Sequence, residues 1–184
     1  MHLIYFLNIP FRMYVQNKML QSPCIKATED GADAVLSTCC VMGDAVEPLK
    51  SFMNYLGTPL YSIDEAFCRH ALLENEKICM IATASVAAFS VEHTIELQER
   101  ILGLHRKKRT VIPQEVADLS GDDFAQKLID SVGNNADPKE CIVLAQPSMA
   151  FAGTYIREHT GKMVYTAIDD PASGLAEILK CKNM

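Results

Sequence analysis

A thiol at the point where a strand feeds a helix can act as a base or a nucleophile. The segment Val35-Leu36-Ser37-Thr38-Cys39-Cys40-Val41-Met42 reads as such a junction: an apolar strand, a small polar turn, a helix start. A cysteine just before a helix meets the positive end of the helix dipole and free backbone N–H groups, which favours the thiolate. Cys39 is therefore the candidate catalytic residue, and Cys40 beside it is either a core thiol or a binding neighbour. In parallel α/β sheets ligands bind outside the carboxyl ends of the strands. Three further turns are read as lying there: Ile63-Asp64-Glu65, Thr83-Ala84-Ser85 and Gln146-Pro147-Ser148. Thr83 and Ser85 could bind a carboxylate through their hydroxyls and helix N-terminal amides, or could simply cap the helix. Gln146 and Ser148 offer uncharged hydrogen bonds, or ordinary turn chemistry. Asp64 reads as a helix N-cap rather than a base. Residues 142–149 follow the same strand–turn–helix pattern as 35–42, which pairs Gln146 with Cys39.

Other chemistries lack their residues. The five histidines have no HxxxH or HExxH spacing and no CxxC occurs, so no metal is expected. GxGxxG, GxxxxGK[ST] and GxSxG are all missing, and with them a phosphate cradle and a serine nucleophile elbow. The net charge of −6 argues against a nucleic-acid partner, which would need a basic face.

These turns need a scaffold, and the chain supplies one in short apolar runs alternating with amphipathic stretches. Runs at 34–38, 59–63, 77–83, 109–113, 141–146 and 163–167, with Leu3–Leu7 before them, read as strands. They are nearly continuous in apolar content, as strands covered on both faces are. Helices are expected over 42–56, after IDEA, and from Ser85 to a basic end at His105–Arg109. Others should run through Phe124, Leu128 and Val132, from Met149 to Gly161, and from Asp170-Pro171 onward. Strand–helix alternation implies parallel sheets. A polar ENEK stretch near 75–77 suggests lobes over 1–75 and 76–167, with a C-terminal helix over 168–184 packing back on the first. The run Leu3–Leu7 is too short to span a bilayer and lacks the basic start of a signal peptide. The seven cysteines are odd in number. Cys24, Cys68, Cys79, Cys141 and Cys181 read as core thiols, so a soluble cytoplasmic protein is expected, away from membranes and in a reducing compartment.

Four motifs in order, LSTCCVMGDAVEP, PLYSIDEA, ICMIATASVAAFS and CIVLAQPSMA, resemble the aspartate/glutamate/hydantoin racemase superfamily. The nearest branch is one whose last motif reads VLAQ-x-SMA. The resemblance implies two pseudo-symmetric α/β lobes with parallel sheets and an active site between them. It also implies catalysis without a cofactor, in which one cysteine removes the proton beside a carboxylate and a second returns it. On that match Cys39 is the first cysteine, Cys40 lies beside it, Thr83 and Ser85 fall in the threonine-rich substrate turn, and Gln146 stands at the second cysteine. An amide does not titrate in the useful range. The first lobe also reads as shortened by a βα unit, whether by divergence or by a truncated gene.

The expected function is proton transfer next to a carboxylate of a small amino or dicarboxylic acid. Cys39 is the single cysteine base, with Cys40, Thr83, Ser85, Gln146 and Ser148 binding the acid. The alternatives are a non-catalytic small-acid-binding scaffold and a one-cysteine lyase; arylmalonate decarboxylases, however, keep the second cysteine rather than the first. A thiol redox sensor, prompted by adjacent Cys39 and Cys40, is a weaker reading. Racemase relatives often associate, which leaves a homodimer open.

Overall fold

A computed structural model describes residues 4–7, 18–112 and 122–169. The chain opens with β1 (Ile4–Leu7) and α1 (Lys18–Glu29), then β2 (Ala34–Ser37), α2 (Gly43–Tyr55), β3 (Leu60–Ser62) and α3 (Ile63–Glu74). It continues with β4 (Lys77–Ile81), α4 (Ser85–Leu102), β5 (Lys107–Val111), α5 (Asp122–Asn135), β6 (Cys141–Leu144), α6 (Ala152–Thr160) and β7 (Val164–Tyr165). Single 3-10 turns, Cys40–Met42 and Pro147–Met149, follow β2 and β6. The fold is α/β with two parallel sheets, ordered β1-β2-β3 and β5-β4-β6-β7, so the first sheet is the smaller.

The continuous apolar strands have the expected cause. In β4, Ile78 and Met80 face one core with α3 and α4, while Cys79 and Ile81 face another with α5 and α6. In β6, Cys141 and Val143 take the first side, Ile142 and Leu144 the second. Both faces are covered, so both sets of alternating side chains must be apolar. The first of these cores also takes in Cys40, Phe67, Cys68 and Leu72, so it joins the two sheets through packing of α3 on α4. A third core packs α1 and α2 on the first sheet through Cys24, Ala27, Val35, Val46, Met53 and Leu60.

Two expectations change. The basic run His105–Arg109 is not a helix end: α4 stops at Gly103, which is left-handed (φ 65°), and Lys107–Arg109 open β5. β5 lies at the edge of its sheet, where charged side chains discourage further pairing. Asp64 does not cap α3, because Ser62 does. Helix α1 had no forecast; its stripe is made of small residues and interrupted by Pro23. The helix expected from Asp170, and Cys181 with it, lie outside the described residues. Among those residues no helix is long and apolar enough to cross a membrane.

One close approach holds α6 on β7. A Cβ added at Gly153 would stand 2.8 Å from Thr166 Cγ2. Thr166 is buried and β-branched, so it has little rotamer freedom with which to retreat. Gly153→Ala is expected to destabilise the protein by roughly 1–3 kcal/mol, read as a lower urea midpoint at unchanged slope.

Candidate functional site

Cys39 follows β2 in an extended conformation (φ −108°, ψ 110°) and precedes the 3-10 turn Cys40–Met42. It is half-buried, whereas Cys40 is buried. Gly43, the first residue of α2, allows this turn to press against α4: a Cβ there would meet Ser90 Oγ at 2.8 Å. Among the described residues six cysteines are free thiols, and Cys39 alone of them is not fully buried.

The expected thiolate bias of Cys39 is overturned in the resting protein. Burial pushes its thiol above the ordinary cysteine value, the Val41 N–H donating to the sulfur offsets part of this, and Asp64 adds to the rise. A single 3-10 turn offers little dipole, so desolvation wins. Cys40 is pushed up to about 12, by burial first and then by Asp64.

On the second sheet, Thr83 and Gln146 are brought together. Gln146 Oε1 accepts the Thr83 backbone N–H at 2.8 Å and the Thr83 hydroxyl at 2.5 Å. The backbone donor fixes which end of the amide is oxygen, leaving Nε2 as the end available to a ligand. β4 and β6 are neighbours, with Ile81 opposite Leu144, which sets the two turns side by side. The Thr83 hydroxyl is thus already a donor to Gln146. Ser85 and Ser148 are both exposed, at the start of α4 and in the turn after β6. Neither Thr83 nor Ser85 caps α4: the N-cap is Ala84, and no side-chain cap hydrogen bond forms among the described residues. That amino end is open to an anion such as a carboxylate.

Gln146→Glu is expected to keep both hydrogen bonds from Thr83 while placing a negative charge beside the open end of α4. A folded variant with weaker binding of a dicarboxylic acid in calorimetry is the expected result. Gln146→Leu removes the acceptor and is expected to cost about 1–3 kcal/mol of stability.

Asp64 is a residue whose environment the sequence reading missed. The pattern Ser62-x-x-Glu65 is a capping box, with the Ser62 N–H donating to Glu65 Oε1 at 2.7 Å. Asp64 is therefore released from capping. It is fully buried, its Oδ2 accepts from Ser62 Oγ at 3.3 Å, and Oδ1 has no partner among the described residues. Burial raises its carboxyl to about 7, against the lowering effect of Ser62 and with a small addition from Glu65.

A cavity of about 560 Å³ lined by Asn75, Glu140, His159 and Lys162 opens at the amino end of β6, away from these turns. Among the described residues no cluster of His, Cys, Asp and Glu could hold a metal ion.

The architecture is shared with solved racemases and a decarboxylase. Glutamate racemase isoform RacE1 of Bacillus anthracis superposes with a TM-score of 0.68 at 14% identity, over 98% of this chain and 73% of the racemase. Allantoin racemase of Klebsiella pneumoniae gives 0.63 at 16% identity, over 97% and 71%. Unliganded arylmalonate decarboxylase gives 0.59 at 14% identity, over 89% and 73%. No family model matches the chain, and no curated protein sequence does.

Proposed function

We propose that the chain is an aspartate/glutamate racemase-like isomerase that moves a proton next to a carboxylate of a small amino or dicarboxylic acid, without a cofactor. Cys39 is its single titrating group toward the substrate. The observation that carries this reading is the half-buried thiol at the carboxyl end of β2, in a fold shared with glutamate and allantoin racemases. The uncapped amino end of α4 and the free amide end of Gln146 would receive the carboxylate. Ser85 and Ser148 line the same turns. With Gln146 unable to titrate, proton transfer is one-sided.

The test is solvent deuterium exchange at the α-carbon of a panel of amino and dicarboxylic acids. Incorporation into one of them supports the proposal. A panel in which some acids bind and none exchanges would sink it in favour of the second reading, a small-acid-binding scaffold. That reading draws on one observation: burial and Asp64 hold Cys39 toward the protonated thiol, the form that cannot act as a base.

A further inference from the structure

We infer that Asp64 is the buried charge partner of Cys39: with Asp64 protonated the thiol releases its proton more readily than with Asp64 ionised. The inference deepens the reading of Cys39 above and rests on it for its relevance to turnover. It makes Asp64 a positioning residue, acting through Cys39 rather than on substrate.

Asp64 is enclosed completely, one oxygen held by Ser62 Oγ and the other without a partner among the described residues. A buried carboxylate with an unpartnered oxygen has no water to spread its charge, so its field falls on the nearest titratable groups. Three of these are thiols: Cys39 and Cys40 in the turn after β2, and Cys68 one turn along α3. Burial keeps Cys40 and Cys68 protonated, Cys68 well above its ordinary value. Cys39 is the member of the trio that is only half-buried, so it is the thiol whose ionisation the carboxyl can bias, in addition to the larger effect of burial.

Among the described residues the other charges near the pair are compensated or lacking. Glu65, next on α3, is compensated by Lys50 of α2, whose Nζ lies 2.9 Å from Glu65 Oε1 and 2.6 Å from Glu47 Oε2. Ser37 of β2 is paired in register with Ser62 of β3, so Cys39 and Asp64 each stand two residues beyond the same cross-strand pair, at neighbouring strand ends. α4 presents Ser90 and Thr94 to the start of α2. The Thr83–Gln146 pair is likewise uncharged.

Because both groups are acids in one low-dielectric site, double ionisation is disfavoured and the two titrate as a pair. Thiolate formation at constant charge breaks the Cys39 S–H bond while one O–H bond forms on Asp64. The pair carries one negative charge before and after. Asp64 titrates near neutrality, so the cost of ionising Cys39 rises as pH passes through that range and the carboxyl gains its charge.

The experiment is alkylation of the full chain by iodoacetamide, quantified at the Cys39 peptide from about pH 6 to about pH 10, for wild type and Asp64→Asn. Loss of the neighbouring charge is expected to lower the Cys39 midpoint and to speed alkylation near pH 8 by about two-fold or more. Superimposable profiles would overturn the inference. Should Asp64→Asn fail to fold, the wild type still decides. The Cys39 β-carbon resonance is expected to show a step at the pH where the Asp64 carboxyl carbon titrates, and a curve without that step overturns the coupling. Neither measurement uses substrate. A shifted profile without deuterium exchange keeps the coupling and rejects Cys39 as catalytic, while exchange with an unshifted profile does the reverse.

Discussion

Cys39→Ala is expected to lower α-proton exchange on the responsive acid by at least about 10²-fold, the usual worth of a positioned acid or base. The reason is the composition of the site. Among the candidate residues Thr83, Ser85, Gln146 and Ser148 carry no group that titrates near neutrality, and Cys40 is buried with its thiol pushed up to about 12. No second side chain in the set can take over the proton. Cys39→Ser should fare no better, since a hydroxyl is a far weaker acid than a thiol. Cys39 is small and half-buried, so the alanine variant should retain the wild-type urea midpoint to within about 1 kcal/mol. Acid binding measured by calorimetry should survive, because the open end of α4 and the Gln146 amide lie on the other sheet. Retention of exchange within a few-fold of wild type would remove Cys39 from the mechanism.

That the thiol was legible at all, and its environment was not, has a physical cause. The seven strands could be read because β4 and β6 carry apolar side chains on both faces, a pattern imposed by the two cores they separate. β5 broke the reading: Lys107–Arg109 open an edge strand, where charges that discourage pairing with another strand look locally like a helix end. Thr83 and Gln146 could each be found as strand ends, yet the bond between them spans 63 positions and exists only because β4 and β6 are adjacent. Asp64 was misread for the same reason. An acid in the first turn of a helix is ordinarily a solvated partner of the dipole, and nothing local says that this one is enclosed once α3 packs against α4 and the second sheet. The capping box at Ser62 and Glu65 was the available clue, since it leaves Asp64 without a capping task.

The enclosure of Asp64 has a consequence for stability that is independent of any reaction. A carboxyl whose folded-state pKa is raised binds its proton more tightly when folded than when unfolded. Below the ordinary carboxylate range both states are protonated and the contribution is full. As pH rises from there to about 7 the unfolded chain has released the proton and the folded chain still holds it, so stability falls with pH. Beyond about 7 the folded state ionises too and the loss levels off. Asp64→Asn carries no titrating group at this position. Its stability relative to wild type should therefore rise between about pH 5 and about pH 8, by on the order of 2 kcal/mol or more. Up to about pH 8 the thiols coupled to Asp64 are still largely protonated and the remaining ionisable groups are common to both proteins, so the difference between their urea midpoints at the two pH values reports chiefly on Asp64. At about pH 5 the buried amide, close in shape to the neutral carboxylic acid, should match wild type or fall somewhat below it. At about pH 8 it should exceed wild type, because the wild-type protein there must hold an ionised carboxylate away from water with one oxygen unpaired. An equal difference at both pH values would mean that Asp64 is ionised, or neutral, across the whole interval, and the buried titrating carboxyl would have to be abandoned.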